Sequence, residues 1–348
     1  MRFWVSMALL IASLLIALLA GEGIVRLTGH QPWSPLPRFD GIPAVTQPDA
    51  ELGWTNKPGH YLFSAVPGLP AVPVTVAADG SRRLGRIGPA DQPDAVWVMG
   101  CSLTYGWGVG DAESYTAVAA EELAARGLGD KRLVNLGVAG YGTLQTWLLF
   151  RRRAKDHPAP KIVLYGLFGG HGERNLGLHN FTRVLDRAAS QQAWVAMPYA
   201  RLDPVTGEPK FHPPERYRRW PGAGRSALVN LAQERFDQIS DLRLQPTRNE
   251  VTMKLIRRFA GDSQALGAKF VVLILHLGDD DARLRDDLKQ NGIPFLDLTD
   301  MGYPSPDTIV PGDGHPNSLM HARWGKRLAD FLQGEFSGSA QSASTTSR

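Results

Sequence analysis

The chain has one cysteine in 348 residues, Cys101, so no intrachain disulfide can form and packing alone must hold the fold. That scarcity does not fix a compartment, because many exported proteins avoid cysteine. Charge is also modest: 21% of residues are charged and 43% hydrophobic, the balance of an ordinary globular chain rather than a disordered or fibrous one. No internal repeat is visible. The excess positive charge is only +4, gathered at Arg151 to Arg153 and at Arg216, Arg218 and Arg219. Such clusters are solvated or phospholipid-facing patches, and no nucleic-acid partner is expected.

Charge is missing altogether from Phe3 to Ala20, FWVSMALLIASLLIALLA, a run of 18 residues between Arg2 and Glu22. A cleaved signal has an apolar region of about 7 to 15 residues, whereas crossing a bilayer takes roughly 20. The run is therefore read as a membrane anchor, although Ala17 to Ala20 offers the small residues of a cleavage site. The short amino-terminal flank with Arg2 is expected to stay inside. Everything after Gly21 then faces the periplasm or exterior.

Four regions follow from composition: an anchor at 1–27, a proline- and glycine-rich stalk and irregular or β-rich lead-in at 28–93, a catalytic domain at 94–336, and a disordered polar tail at 337–348. Within the catalytic domain, strand-length apolar runs (95–100, 132–138, 161–168, 269–276, 293–298) alternate with helical patterns (114–126, 143–156, 249–266, 282–291, 318–336). Nearly continuous apolar strands separated by helices predict a parallel sheet covered on both faces, an α/β protein of three layers, α/β/α, with about five strands. Residues 176–248 break the alternation and read as an insertion over the top of the sheet.

In such a sheet ligands bind beyond the carboxyl ends of the strands. Those ends carry Cys101 and Ser102, then Ala139, Gly140 and Tyr141, then Gly169, Gly170 and His171, and finally a loop with Asp313 and His315. A hydroxyl, a glycine turn and an acid beside a histidine are the parts of serine acyl transfer. His315 has the pKa range to take the serine proton, Asp313 can hold the other ring nitrogen, and the N–H groups of Ser102 and Gly140 can face an oxyanion. Cys101 and Ser102 should point to opposite sides, which favours Ser102 as nucleophile. The bland readings are that Ser102 caps a helix, that His276 is structural, that Asn317 caps the last helix, and that Asp279 to Asp281 sit at a helix amino terminus rather than on a metal. No metal or cofactor is expected. The glycine spacing of GWGVG (106–110) is wrong for a dinucleotide site.

GCSLTYG (100–106), NLGVAG (135–140) and DGHPN (313–317) resemble, in order and spacing, blocks of the SGNH or GDSL hydrolase superfamily, over about Ala95 to Leu332. The resemblance implies a flavodoxin-like fold, Ser102 as nucleophile, Gly140 as an oxyanion donor and Asp313 with His315 as the acid and base. Two departures mark a divergent member. Cys101 stands where the family has aspartate, and His171 stands where it has an asparagine donor, with Asn175 as the other candidate for that role. The expected activity is a membrane-anchored esterase removing an acyl group, acetyl in the first instance, from a carbohydrate or other exported substrate. The alternatives are an O-acyltransferase acting on an exported polysaccharide and a noncatalytic binding or assembly component.

Overall fold

The structure, a computed structural model, describes residues 2–36, 44–85, 94–189 and 196–345. Helix α1 (Arg2–Leu27) comes first, with none of its residues buried. Two antiparallel pairs follow, β1 (Thr46–Asp49) with β2 (Gly53–Asn56) and β3 (Gly59–Phe63) with β4 (Val72–Val76). Then come β5 (Asp94–Gly100), α2 (Ser102–Tyr105), α3 (Tyr115–Ala125), β6 (Arg132–Gly137), α4 (Thr143–Asp156) and β7 (Ile162–Phe168). After β7 stand α5 (His171–Leu176), α6 (His179–Ala188), the hairpin of β8 (Met197–Leu202) and β9 (Pro209–Glu215), and α7 (Ala227–Leu244). The chain closes with α8 (Arg248–Ala265), β10 (Lys269–His276), α9 (Arg283–Gln290), β11 (Phe295–Asp297) and α10 (Ser318–Thr345).

The five strands expected from the apolar runs form one parallel sheet in the order β11-β10-β7-β5-β6. Numbered along the chain this is 2-1-3-4-5, the flavodoxin-like winding, whose crevice opens between the first and third strands. Those strands are β5 and β7. Side chains alternate across each strand and so fill two cores. Trp97, Met99, Tyr165 and Val272 meet α4, α8 and α9 through residues such as Phe150 and Phe259. Val96, Val98, Leu164 and Leu273 meet α3 and α10 through Leu123, Met320 and Trp324. Two buried faces explain why the strands carry almost no polar residue.

Two sequence expectations change, and the insertion gains its detail. The lead-in is no stalk beyond Val45: Trp54, Phe63, Val74 and Val76 are buried, and Arg152 of α4 grips Asp49 at 2.6 and 2.9 Å. Its strands are short, but their apolar residues find a ready surface at the β6 end of the sheet. Residues 37–43 and 86–93 lie outside the described residues. The insertion is folded, its hairpin packing on α4, α5 and α8, with Phe211 at 5.5 Å from Trp147. The last helix runs on to Thr345 through most of the segment expected to be disordered, and 346–348 lie outside the described residues.

One buried histidine ties two of these helices together. His321 of α10 is fully buried, and its Nδ1 accepts the N–H of Tyr115 at the start of α3 at 3.1 Å. Burial first, then the positive charges of Arg82 and His315, pull its pKa down to about 3. The unfolded chain therefore takes up a proton near pH 6.5 that the folded chain refuses until about pH 3. The stabilisation is complete above pH 6.5 and is lost as pH falls through that window, by up to about 1.4 kcal/mol per pH unit. Thermal unfolding at pH 7, 6 and 5 should show a falling midpoint, and His321→Gln, which still accepts from Tyr115, should flatten the slope.

Candidate active site

Strand β5 ends at Gly100, in the crevice between β5 and β7. Cys101 turns its thiol into the core with Val98 and Leu103. The next residue, Ser102, opens α2, so its N–H is one of the donors a helix leaves unpaired. Ser102 is 4% exposed.

His315 reaches this hydroxyl from the far end of the chain. Its Nε2 lies 2.8 Å from Ser102 Oγ, and its Nδ1 is hydrogen-bonded to Asp313 Oδ1. A carboxylate can only accept, so Nδ1 carries the proton and Nε2 accepts from Ser102. The loop is rigid for reasons local to it. Val310 N–H donates to His315 O at 2.7 Å, Asp313 and Gly314 N–H both donate to Val310 O at 3.1 Å, and Asn317 caps α10 by accepting from Met320 N–H at 3.2 Å. Burial pushes the Asp313 carboxyl up, but hydrogen bonds from the His315 ring and backbone, the His315 charge and the Trp107 side chain together hold it below its ordinary value.

Trp107 is a site residue that sequence reading passes over. Its indole N–H serves Asp313, its ring lies 6.0 Å from that of His315, and Phe63 of β3 backs it edge-on at 4.5 Å. The glycine spacing of GWGVG speaks only to nucleotide binding. The usable signal was a lone indole between glycines directly after the nucleophile's helix.

The second rim segment is shaped by Trp54 of β2. Its indole N–H donates to Ala139 O at 2.9 Å, and Gly140 takes φ +84° against its ring, where a Cβ would sit 3.0 Å from Cζ2. Only glycine suits both the left-handed backbone and the close approach.

Behind Gly140 runs a buried hydrogen-bond chain. Leu144 N–H donates to Asn175 Oδ1 at 3.1 Å, which fixes the Asn175 amide. Its NH₂ then donates to Thr143 Oγ1 at 3.0 Å and Thr252 Oγ1 at 2.9 Å. Thr143 Oγ1 shares a hydrogen bond with Tyr165 Oη at 2.7 Å, and Tyr165 Oη one with His171 Nδ1 at 2.6 Å. If Tyr165 donates to Nδ1, the His171 proton sits on Nε2, a buried atom without a partner among the described residues. Burial first and the Arg174 charge second keep its pKa well below the ordinary histidine value, so the ring is neutral. Both N–H groups of Asn175 are occupied, whereas Nε2 of His171 is unpartnered among the described residues.

No protein-family model and no curated protein matches the sequence. Solved structures align more loosely: TesA at 14% identity and TM-score 0.40, covering 69% of this chain and 98% of that one, and the psychrotrophic esterase EstA from Pseudoalteromonas at 11% and 0.42, covering 70% and 100%. A putative lipolytic protein of the G-D-S-L family from Desulfitobacterium hafniense aligns at 11% and 0.37, covering 68% and 99%. Likenesses this weak carry no argument about this chain. The strand order is flavodoxin-like, with Ser102 after its first strand, Gly140 after its second and His171 after its third, as the resemblance to SGNH hydrolases implies.

Within this fold His276 and the acidic run after β10 have structural surroundings. His276 stacks on Phe168 at 6.0 Å and meets the Tyr303 ring edge-on at 5.5 Å. Asp280 and Asp281 pair with Arg248 at 3.3 and 3.2 Å. Among the described residues no group of three or more His, Cys, Asp or Glu is placed to hold a metal ion.

Proposed function

We propose that the chain is a membrane-anchored serine esterase working on the far side of the membrane, with Ser102 as nucleophile, His315 as general base and Asp313 as its orienting carboxylate. The observation that carries this reading is the hydrogen-bonded line from Ser102 Oγ through His315 to Asp313. Ser102 attacks the ester carbonyl as its proton passes to His315 Nε2. The imidazolium, held by Asp313, then returns that proton to the departing alcohol. Water repeats the sequence against the acyl-enzyme and releases the acid. The N–H groups of Ser102 and Gly140 and the Nε2–H of His171 serve the oxyanion. A hydroxyl so little exposed suits a short acyl group, acetyl before longer chains, carried by a carbohydrate or other exported substrate.

The test is covalent trapping: a fluorophosphonate should label Ser102 in the full chain held in nanodiscs, and p-nitrophenyl acetate should be hydrolysed. A folded protein that neither labels nor hydrolyses would return the fold to a binding role. The burial of Ser102 also favours a second use of the same acyl-enzyme, transfer to a sugar hydroxyl on an exported polysaccharide. Product partition between water and a glycan acceptor separates the two.

His171 has its own prediction. His171→Leu removes one oxyanion donor and should lower kcat by about 10²- to 10³-fold with little change in KM. Because leucine also takes the His171 Nδ1 partner from the buried Tyr165 hydroxyl, the thermal midpoint should fall as well; a fall in midpoint with kcat intact would make the residue purely structural.

A further inference from the structure

Helix α7 is built inside out. The side turned to the protein is polar: Asn230, Gln233, Asp237 and Asp241 are each no more than 6% exposed. They are satisfied there. Arg183 donates to Asn230 at 2.7 Å, Trp220 N–H to Gln233 at 2.9 Å, the Tyr217 hydroxyl to Asp237 at 2.5 Å, and the N–H groups of His179 and Asn180 to Asp241 at 2.9 Å. The outward side is apolar, with Phe236 at 54%, Ile239 at 55% and Leu242 at 69% exposed. Its fully exposed residues include Arg235 and Arg243 and no acid, since every acid of the helix points inward or is partly covered.

The amino terminus of this helix is fastened to α1. Glu22, two residues past the uncharged run, accepts from Ser226 Oγ at 2.6 Å and from Ala227 and Leu228 N–H at 2.9 Å, and Arg26 donates to Arg225 O at 3.0 Å. Gly21 gives Leu228 its place, a Cβ there lying 3.4 Å from Leu228 Cδ2. If α1 crosses the bilayer, Glu22 marks the level of the headgroups, and α7 starts at that level. At about 100° per residue, positions 228, 232, 235, 239 and 242 fall within about 40° of one line. The face that touches α1 at Leu228 is thus the same face that runs out to Ile239 and Leu242.

We infer that α7 lies on the membrane surface, its Leu228–Ile239–Leu242 stripe dipping into the headgroup region and its arginines meeting anionic phospholipid. The inference rests on the proposed anchor. Latched at Glu22 and seated along the stripe, the body cannot swing freely on its tether, and the catalytic rim is held at a set height and tilt over the bilayer. The outward apolar residues and the inward polar ones are then each in the solvent they suit.

Spin labels on full-length Ile239→Cys and Leu242→Cys, in vesicles of phosphatidylethanolamine and phosphatidylglycerol, test this by collision with oxygen and with a nickel chelate. The native Cys101 is fully buried and does not compete. Labels at Val205→Cys, on the 91% exposed hairpin tip, and at Leu10→Cys in α1 give the water and lipid references. The expected result is oxygen-dominated relaxation at 239 and 242, at a depth of about 5 to 10 Å, with nickel dominating at 205. Nickel dominance at 239 and 242 with Leu10 in lipid would overturn surface docking and leave the anchor standing. Shielding of both labels from both reagents would overturn it in favour of a protein partner or second copy. Nickel access at Leu10 would remove the anchor and this inference together.

Discussion

Ser102→Ala should reduce p-nitrophenyl acetate hydrolysis by about 10⁴- to 10⁶-fold while leaving the thermal midpoint nearly unchanged. The size follows from the chemistry. Without the hydroxyl no acyl-enzyme forms, His315 has nothing to deprotonate but water, and what remains is the oxyanion site acting on a bound ester. The fold should not notice, because among the described residues Ser102 Oγ is paired only with His315 Nε2, a partly exposed ring that water can serve instead. An unchanged rate would remove the nucleophile from Ser102. His315→Ala should fall almost as far, since base and nucleophile act as one unit.

Arg82→Met should cost about 3 to 5 kcal/mol of stability, the scale seen when one member of a buried charged network is removed. Arg82 is 1% exposed and enters from the lead-in. Its guanidinium donates to Tyr105 O at 2.6 Å and to the carbonyls of Gly106 and Val109, lies 4.8 Å over the Tyr105 ring, and has Asp111 at 3.7 Å. Methionine fills the space, leaves three carbonyls without their donor and takes the cation from Asp111, which keeps the Thr75 N–H at 2.8 Å. These carbonyls flank the Trp107 that braces Asp313, just after the helix opened by Ser102. Activity should therefore fall with stability, by about 10²-fold if the loop shifts by 1 Å. Arg82→Lys should not rescue it, because one ammonium cannot reproduce a fork that spans three acceptors. Urea unfolding and kcat measured side by side check both parts, and a loss below about 1 kcal/mol would show that water replaces the fork.

Much of this protein was legible along the chain. The five strands are apolar on both faces, and the bounds of α3, α4, α8 and α9 fall within one residue of those their periodicity suggests, whereas α5, α6 and α7 are not read from it. Cys101 and Ser102 separate by simple alternation. Asn317 is a cap by local chemistry. Asn175 shows the limit: as an asparagine near the right block it could be an oxyanion donor, and only the N–H of Leu144, 31 residues away, turns its amide and makes it the start of a chain ending at His171.

The sequence by itself determined what depends on neighbours a few residues apart: the uncharged amino-terminal run, the order of strands and helices, and the strand ends where Ser102, Gly140, His171 and His315 must lie. Tertiary structure decided what depends on partners far along the chain. Trp54 shapes the Gly140 turn from 85 residues away, Arg82 ties down the loop after Ser102, and Trp107 braces Asp313. The polar face of α7 reads as a solvent face until Arg183, Tyr217 and His179 are brought against it. A side chain's type states which interactions it can make, but burial and the direction of its hydrogen bonds are set only when distant segments meet.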